Sequence, residues 1–119
     1  MALKALQVAE EKVRYQTVKH YDRRQIINML KDLLSKVAAI KKAWIFGSFA
    51  REDDRAESDV DIAVETETTF SYFQLAEIQH EMEMAINRKV DIGFIKSIKP
   101  HIMDLVKKEM KLIYERSTN

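Results

Sequence analysis

The chain has 119 residues, enough for one compact domain and one active centre at most. It contains no cysteine, which excludes a disulfide scaffold, a thiol nucleophile and a thiolate metal centre. The N-terminus lacks the pattern of a signal peptide, and no apolar run approaches the roughly 20 residues that span a bilayer. We therefore expect a cytoplasmic protein that does not contact the membrane.

The formal net charge is only +1, but the charges are unevenly distributed along the chain. Residues 1–42 hold ten Lys or Arg and four Asp or Glu, whereas residues 51–67 hold two and eight. Clustered carboxylates are typical either of a solvated acidic turn or of a site for a hard cation such as Mg²⁺. The basic N-terminal part is more typical of a soluble surface, so direct nucleic-acid binding is not expected.

The first third of the chain predicts two helices and a strand. Apolar residues at spacings of three and four predict an amphipathic helix over residues 3–20. Asp22 and Gln25 have the spacing of a capping box, and the wide apolar face that follows predicts a helix over residues 23–37. A short apolar run at residues 43–46 then predicts a buried strand that ends at a glycine.

The rest of the chain alternates between strand and helix patterns. Residues 59–65 and 89–95 alternate apolar with acidic or small side chains, as strands with one buried face do. Helical spacing returns over residues 70–86. Residues 100–110 begin with a proline, which suits the first turn of a helix, and residues 111–114 predict a closing strand.

The order of these elements, α-α-β-β-α-β-α-β, predicts a small α/β (α+β) domain. We expect a mixed sheet of three or four strands packed with helices on one side. Within the first strand, Trp44 and Phe46 are expected on alternate sides, as packing residues.

Three acidic residues lie on the polar faces of two predicted strands. Asp59 and Asp61 are two residues apart, so we expect both side chains on one face, about 7 Å from each other along the strand. Asp91 lies on the later strand, and Ala63 and Gly93 follow on the same faces, leaving room for a ligand. Carboxylates on neighbouring strands repel one another unless a cation lies between them. An acidic pair at this spacing is weak evidence alone, since many exposed strands carry one.

The turn after the first strand adds a second part of a possible binding site. Gly47 allows the backbone to turn closely, Ser48 offers a hydroxyl and an N–H to an anion, and Arg51 can donate to phosphate oxygens. Taken alone, this segment is typical of an ordinary strand-to-helix turn with Ser48 as the N-cap. Combined with carboxylates that bind Mg²⁺, it predicts a nucleoside-triphosphate site.

The same residues resemble a known family. Residues 47–64, GSFAREDDRAESDVDIAV, resemble the G-S-x-A-R-G…S-D-x-D signature of the polymerase-β-type nucleotidyltransferase superfamily in its minimal (MNT) form. Residues 89–95, KVDIGFI, resemble the strand that supplies that family's third carboxylate. The resemblance covers residues 24–115 and implies the polymerase-β-type fold. It makes residues 1–119 a single nucleotidyltransferase domain, with an additional N-terminal helix over residues 1–21.

The resemblance implies the metal ligands and the reaction. Asp59 and Asp61 would ligate Mg²⁺, two ions in all, and Asp91 would complete the second metal site and help to deprotonate the acceptor hydroxyl. The acceptor would attack the α-phosphorus of a nucleoside triphosphate, with ATP as the expected substrate, and pyrophosphate would leave.

The resemblance also implies which residues bind the nucleotide. Gly47 and Ser48 would hold the triphosphate, and Arg51 would be an auxiliary phosphate ligand. Glu52 stands where the family usually has glycine. This departure would reshape the turn and place a negative charge near the phosphates, which bears on the efficiency of catalysis.

The acceptor is predicted from the resemblance alone. Larger relatives carry a further domain for the acceptor, whereas this chain is nearly all catalytic core. Minimal members are similar to antitoxins that pair with a HEPN-domain ribonuclease toxin and transfer AMP to one of its tyrosines, which is the leading hypothesis. The alternatives are a catalytically weak module that binds and neutralises a partner, and a small-molecule nucleotidyltransferase that acts as a homo-oligomer.

Overall fold

The computed structural model describes residues 20–117. The predicted helix over residues 3–20 falls on residues 1–19 almost entirely and so lies outside the described residues. Within the described range, no helix is long and apolar enough to cross a membrane. The elements in chain order are α1 (Arg23–Ser35), β1 (Ile40–Phe46), α2 (Gly47–Arg51), β2 (Val60–Thr66), α3 (Tyr72–Ile86), β3 (Val90–Phe94), a 3₁₀ turn (Ile95–Ser97), α4 (Pro100–Glu109) and β4 (Lys111–Glu115).

Both long helices begin at capping boxes. The Asp22 carboxylate accepts from the Gln25 N–H at 2.8 Å, and the Gln25 side chain accepts from the Asp22 N–H at 3.0 Å, which confirms the predicted start of α1. Ser71 and Gln74 form the same reciprocal pair at α3. Each pair satisfies two N–H groups that have no partner within the helix. The pair at Ser71 places the start of α3 at Tyr72, two residues later than predicted.

The four strands form one mixed sheet in the order β3-β2-β1-β4. Strand β1 runs antiparallel to β2 and β4, whereas β2 and β3 are parallel. The parallel pair follows from the connection through α3, since parallel neighbours need a crossover of this length. The predicted fold class, a small mixed sheet packed with helices, is confirmed.

One face of the sheet is buried against α1 and α3. The apolar stripes of both helices join the inward residues of all four strands in one core cluster. Its most deeply buried members are Phe49, Ile26, Leu30, Leu34, Ile40, Ile45, Ile62, Met82, Ile86, Val60 and Val64. Burial of these side chains fixes which face of β2 and β3 turns away from the helices, because a one-residue slip would move every apolar side chain out of the core.

The other face of the sheet carries both aromatic residues of β1. Trp44 pairs with Ala63 and Phe46 pairs with Asp61, and paired residues in adjacent strands share a face. The expectation that Trp44 and Phe46 lie on alternate sides is therefore wrong, since residues two apart in a strand point the same way. Both are half-buried and line the face that holds Asp61.

Candidate active site

The acidic residues of β2 and β3 meet where both strands begin. Asp61 and Asp91 are direct partners in the parallel register, and Ala63 and Gly93 are the next pair on that face. The prediction that the two acidic strand faces adjoin, with small residues beyond them, is confirmed. Asp59 lies immediately before β2 and not on it, because the ladder starts one residue later than predicted.

The three carboxylates repel one another. Burial, followed by the charges of Asp91 and Asp59, raises the pKa of Asp61 to about 6, against the opposing effect of the Arg51 charge. Asp61 is half-buried, while Asp59 and Asp91 are exposed. Negative charge is therefore concentrated around Asp61, at the edge of the sheet where β2 and β3 start.

The donor atoms at this edge suit a hard cation. All of them are carboxylate oxygens, the ligands that Mg²⁺ prefers. Among residues 20–117, no three Asp, Glu or His side chains are arranged to hold a metal ion together as they stand. Strand pairing fixes the backbones of Asp61 and Asp91, while exposed Asp59 precedes the strand. The residues present therefore fit Mg²⁺ by their chemistry and their mutual repulsion.

Gly47 brings the turn after β1 against the acidic residues. It begins α2 with φ +68°, in the left-handed region that favours glycine. A Cβ at this position would overlap Oδ2 of Asp61. Ser48 follows in α2 but does not cap it, since the N-cap is Phe46 and no side chain performs that role. The predicted phosphate-binding turn and the predicted metal ligands thus lie side by side.

We expect Gly47→Ala to destabilise the protein, whereas Gly93→Ala is tolerated. A non-glycine residue in the left-handed region costs about 1–2 kcal/mol, and displacement of the Asp61 carboxylate adds to that. The second glycine is the matched control because a Cβ there has nothing within 4 Å. Thermal melting of both variants in chelator tests this expectation. Equal melting temperatures would contradict both the left-handed conformation of Gly47 and its approach to Asp61.

The guanidinium of Arg51 is occupied by two carboxylates. Its Nε lies 3.0 Å from Oδ2 of Asp53, and its Nη1 lies 2.9 Å from Oε1 of Glu109 in α4. Hydrogen bonds to Asp53 and then to Glu109 raise the pKa of Arg51. The charge of Arg51 nevertheless lowers the pKa of Asp61, so Arg51 lies near the site. Binding to phosphate would require Arg51 to exchange these carboxylates for the ligand, and that role stays a prediction.

Glu52 occupies the C-cap of α2 in the left-handed conformation, with φ 66°. A positive φ explains why a glycine would suit this position. The Glu52 carboxylate lies 3.4 Å from Nε of Arg23 and 3.9 Å from Nζ of Lys111. Its charge is therefore partly offset by two basic residues of other elements.

A shielded ion-pair network that the sequence did not predict lies beside the site. The Asp54 side chain, only 10% exposed, lies 2.8 Å from Nη2 of Arg23 and 3.0 Å from Nη2 of Arg88. The acidic run of residues 51–67 suggested a solvated turn or a cation site. The sole signal for the network was the opposite charge excess of residues 1–42, which contain Arg23.

Removal of one acidic charge should stabilise the metal-free protein. Folding raises the pKa of Asp61 from 3.8 to about 6. Between these two pH values the folded protein therefore keeps a proton on Asp61 that the unfolded chain has already released. Stability should therefore fall as pH rises from about 4 to 6 and stay lower above that. Asp91→Asn should raise the melting temperature in chelator at pH 8 by roughly 2–6 °C, equivalent to roughly 0.5–1 kcal/mol.

Measurement of the same variant at a lower pH provides the control. At pH 4 the difference from the parent should disappear, because Asp61 is then protonated in the folded protein. A lower melting temperature for Asp91→Asn in chelator at pH 8 would show that these carboxylates do not repel one another.

Comparison with known proteins decides the family. The model of the family described as "Polymerase beta, Nucleotidyltransferase" matches residues 28–119. The chain belongs to the polymerase beta nucleotidyltransferase family. This nucleotidyltransferase is 36% identical over 70 residues to a protein of Methanocaldococcus jannaschii assigned as a protein adenylyltransferase, covering 59% of this chain and 75% of the relative. It is 28% identical over 85 residues to the protein adenylyltransferase MntA of Thermococcus cleftensis, covering 71% and 86%.

Solved structures agree with the fold of this nucleotidyltransferase. A structure assigned as a minimal nucleotidyltransferase matches with a TM-score of 0.70 and 25% identity, over 79% of this chain and 98% of that one. A chain from the complex of a tri-AMPylated Shewanella oneidensis HEPN toxin with an MNT antitoxin matches with a TM-score of 0.64 and 20% identity, over 80% and 74%. The resemblance predicted from residues 47–64 and 89–95 is thereby confirmed.

Proposed function

We propose that this nucleotidyltransferase is a cytoplasmic, Mg²⁺-dependent protein adenylyltransferase. It transfers AMP from ATP to a hydroxyl of a partner protein, and it acts as the antitoxin of a HEPN-type toxin. The observation that carries the proposal is the approach of Gly47 to Asp61, with Asp91 paired beside it. The names of the relatives support the reaction class, and the toxin–antitoxin structures of the same fold support the partner.

The proposed roles follow from the positions of the side chains. Asp59, Asp61 and Asp91 would hold Mg²⁺, which supplies positive charge that offsets the charge on the attacking and leaving oxygens. Gly47 allows the triphosphate to approach the backbone of α2, where Ser48 offers an N–H and a hydroxyl.

The family resemblance assigns the role of base for the acceptor to Asp91. Its carboxylate is exposed on the open face of β3, whereas Asp61 is half-buried. In the proposed reaction, Asp91 accepts the proton of the acceptor hydroxyl as its oxygen bonds to the α-phosphorus. The bond from the α-phosphorus to the bridging oxygen breaks, and pyrophosphate leaves with its electron pair.

Labelled ATP tests this proposal and separates it from the alternatives. The chain is incubated with Mg²⁺, its cognate HEPN-type partner and ATP labelled at either the α- or the γ-phosphate. Label from the α-phosphate should appear on the partner, and label from the γ-phosphate should not. Label that enters only small molecules would favour the small-molecule transferase. The absence of any label on the partner, despite neutralisation of its toxicity, would favour a binding module.

A further inference from the structure

The loop between α2 and β2 is held by two arginines that share one carboxylate. Arg23 of α1 and Arg88 of the turn between α3 and β3 contact different oxygens of Asp54, at 2.8 and 3.0 Å. The side chains of Asp54 and Arg88 are each only 10% exposed. Such charge-assisted hydrogen bonds, shielded from water, are stronger and more directional than surface ion pairs. Three separate segments of the chain are therefore joined at Asp54.

The two arginines also bind the backbone on both sides of this loop. Arg23 donates to the carbonyl of Phe49 in α2. Arg88 donates to the carbonyl of Ser58 through Nη2 at 2.8 Å and through Nε at 3.3 Å. Ser58 immediately precedes Asp59. The network thus connects the turn at the nucleotide site to the backbone that carries one predicted metal ligand.

The ring of Phe49 lies within the same network. The guanidinium carbons of Arg23 and Arg88 are 4.2 and 5.4 Å from its centroid, within the range of cation–π contacts. Phe49 is itself buried in the core. Both arginines are consequently supported by apolar packing, while Asp54 offsets the repulsion between them.

We propose that Asp54 is a positioning residue that fixes the backbone of Asp59 and thereby sets the affinity of the site for divalent cations. The inference rests on the proposed function, since it takes Asp59 as a metal ligand. Without the charge of Asp54, the guanidiniums of Arg23 and Arg88 repel each other without compensation. The hydrogen bonds from Arg88 to the Ser58 carbonyl then weaken. Loss of a group that orients metal ligands typically lowers metal affinity about 10- to 100-fold.

Mn²⁺ is the probe for this role. Calorimetry titrates Mn²⁺ into the full chain without nucleotide, because a free triphosphate would itself bind the ion. Asp54→Asn keeps the shape and removes the charge, and it should weaken Mn²⁺ binding about tenfold. Glu57→Gln is the matched control, because it removes one charge from an exposed position of the same loop and should leave the affinity at the parent value.

The metal dependence of AMP transfer separates positioning from general loss of structure. With Asp54→Asn, the Mg²⁺ concentration that gives half-maximal transfer should rise about tenfold, while saturating Mg²⁺ should restore most of the rate. A variant with only a smaller folded fraction would instead lose rate equally at every Mg²⁺ concentration. That result would overturn the positioning role.

A second variant keeps the test decisive if Asp54→Asn does not fold in chelator. Arg88→Lys retains the positive charge beside Asp54 but loses the paired donors to the Ser58 carbonyl, and it should also weaken Mn²⁺ binding about tenfold. If the parent fails to bind Mn²⁺, the proposed function itself is wrong. If the parent binds Mn²⁺ and every folded variant of this network binds it equally well, the positioning role alone is wrong.

Discussion

Replacement of both Asp59 and Asp61 by Asn should abolish the dependence of ATP binding on Mg²⁺ and reduce AMP transfer by at least about 10³-fold. The amides keep the shape of the side chains but remove the charge that binds the cation. A bound metal contributes several kcal/mol of charge stabilisation to such a transfer, and each 1.36 kcal/mol corresponds to a tenfold rate. Calorimetry with ATP, in Mg²⁺ and then in chelator, measures the binding part of this expectation.

The control for the double variant also removes two negative charges, but from side chains outside the candidate site. Asp32 pairs with Lys36 on the surface of α1, and Glu57 is exposed in the loop before β2. The variant with Asp32→Asn and Glu57→Gln should bind ATP with Mg²⁺ as the parent does. In chelator, the parent and this control variant should bind ATP equally weakly. Parent-like ATP affinity in Mg²⁺ after loss of Asp59 and Asp61 would refute the metal assignment.

Local sequence patterns were sufficient for the elements that hold the candidate site. The alternation in residues 59–65 and 89–95 predicted which residues face away from the core, and the observed register places Asp61 opposite Asp91. This succeeded because only one register buries the apolar set of each strand. The capping box at Asp22 was likewise predictable, since both of its partners lie within four consecutive residues.

Features that depend on contacts between distant segments could not be predicted in the same way. Arg23, Asp54 and Arg88 are separated by more than 30 residues from one to the next, and no local spacing brings them together. The start of β2 after Asp59 is set by its pairing with β3, which the alternation alone does not define. Arg51 was predicted as a phosphate ligand from its neighbours in the chain, whereas Glu109, which binds it, is 58 residues away.

The acidic run of residues 51–67 illustrates how one charge pattern serves several purposes. Asp54 neutralises two arginines, Asp53 binds Arg51, and Asp59 and Asp61 remain without a basic side chain in the ion pairs of the described residues. Exposed Glu57 and Glu65 of the same run also lie outside these ion pairs, so it is the family resemblance that assigns Asp59 and Asp61 to the metal. Ion pairing within the fold therefore identifies the structural acids Asp53 and Asp54, which composition alone does not.

Asp91→Asn should separate an enzyme from a binding module. The variant retains Asp59 and Asp61 and should still bind ATP weakly in Mg²⁺, but AMP transfer should fall by at least the factor of about 10²–10⁴ that general-base assistance contributes. Loss of one metal ligand adds to this reduction. Transfer is measured by mass spectrometry of the partner, and neutralisation is measured as the partner's residual ribonuclease activity.

The two functions predict opposite results for the partner. If the chain acts by covalent transfer, the parent should both modify and neutralise the partner, whereas Asp91→Asn should do neither at matched concentrations. If the chain acts by binding alone, Asp59→Asn, Asp61→Asn and Asp91→Asn should neutralise as well as the parent, with no AMP on the partner. Full neutralisation by all three variants would overturn the proposed transferase role, and residues 1–37 would then be the first segment to search for the contact surface by point substitution.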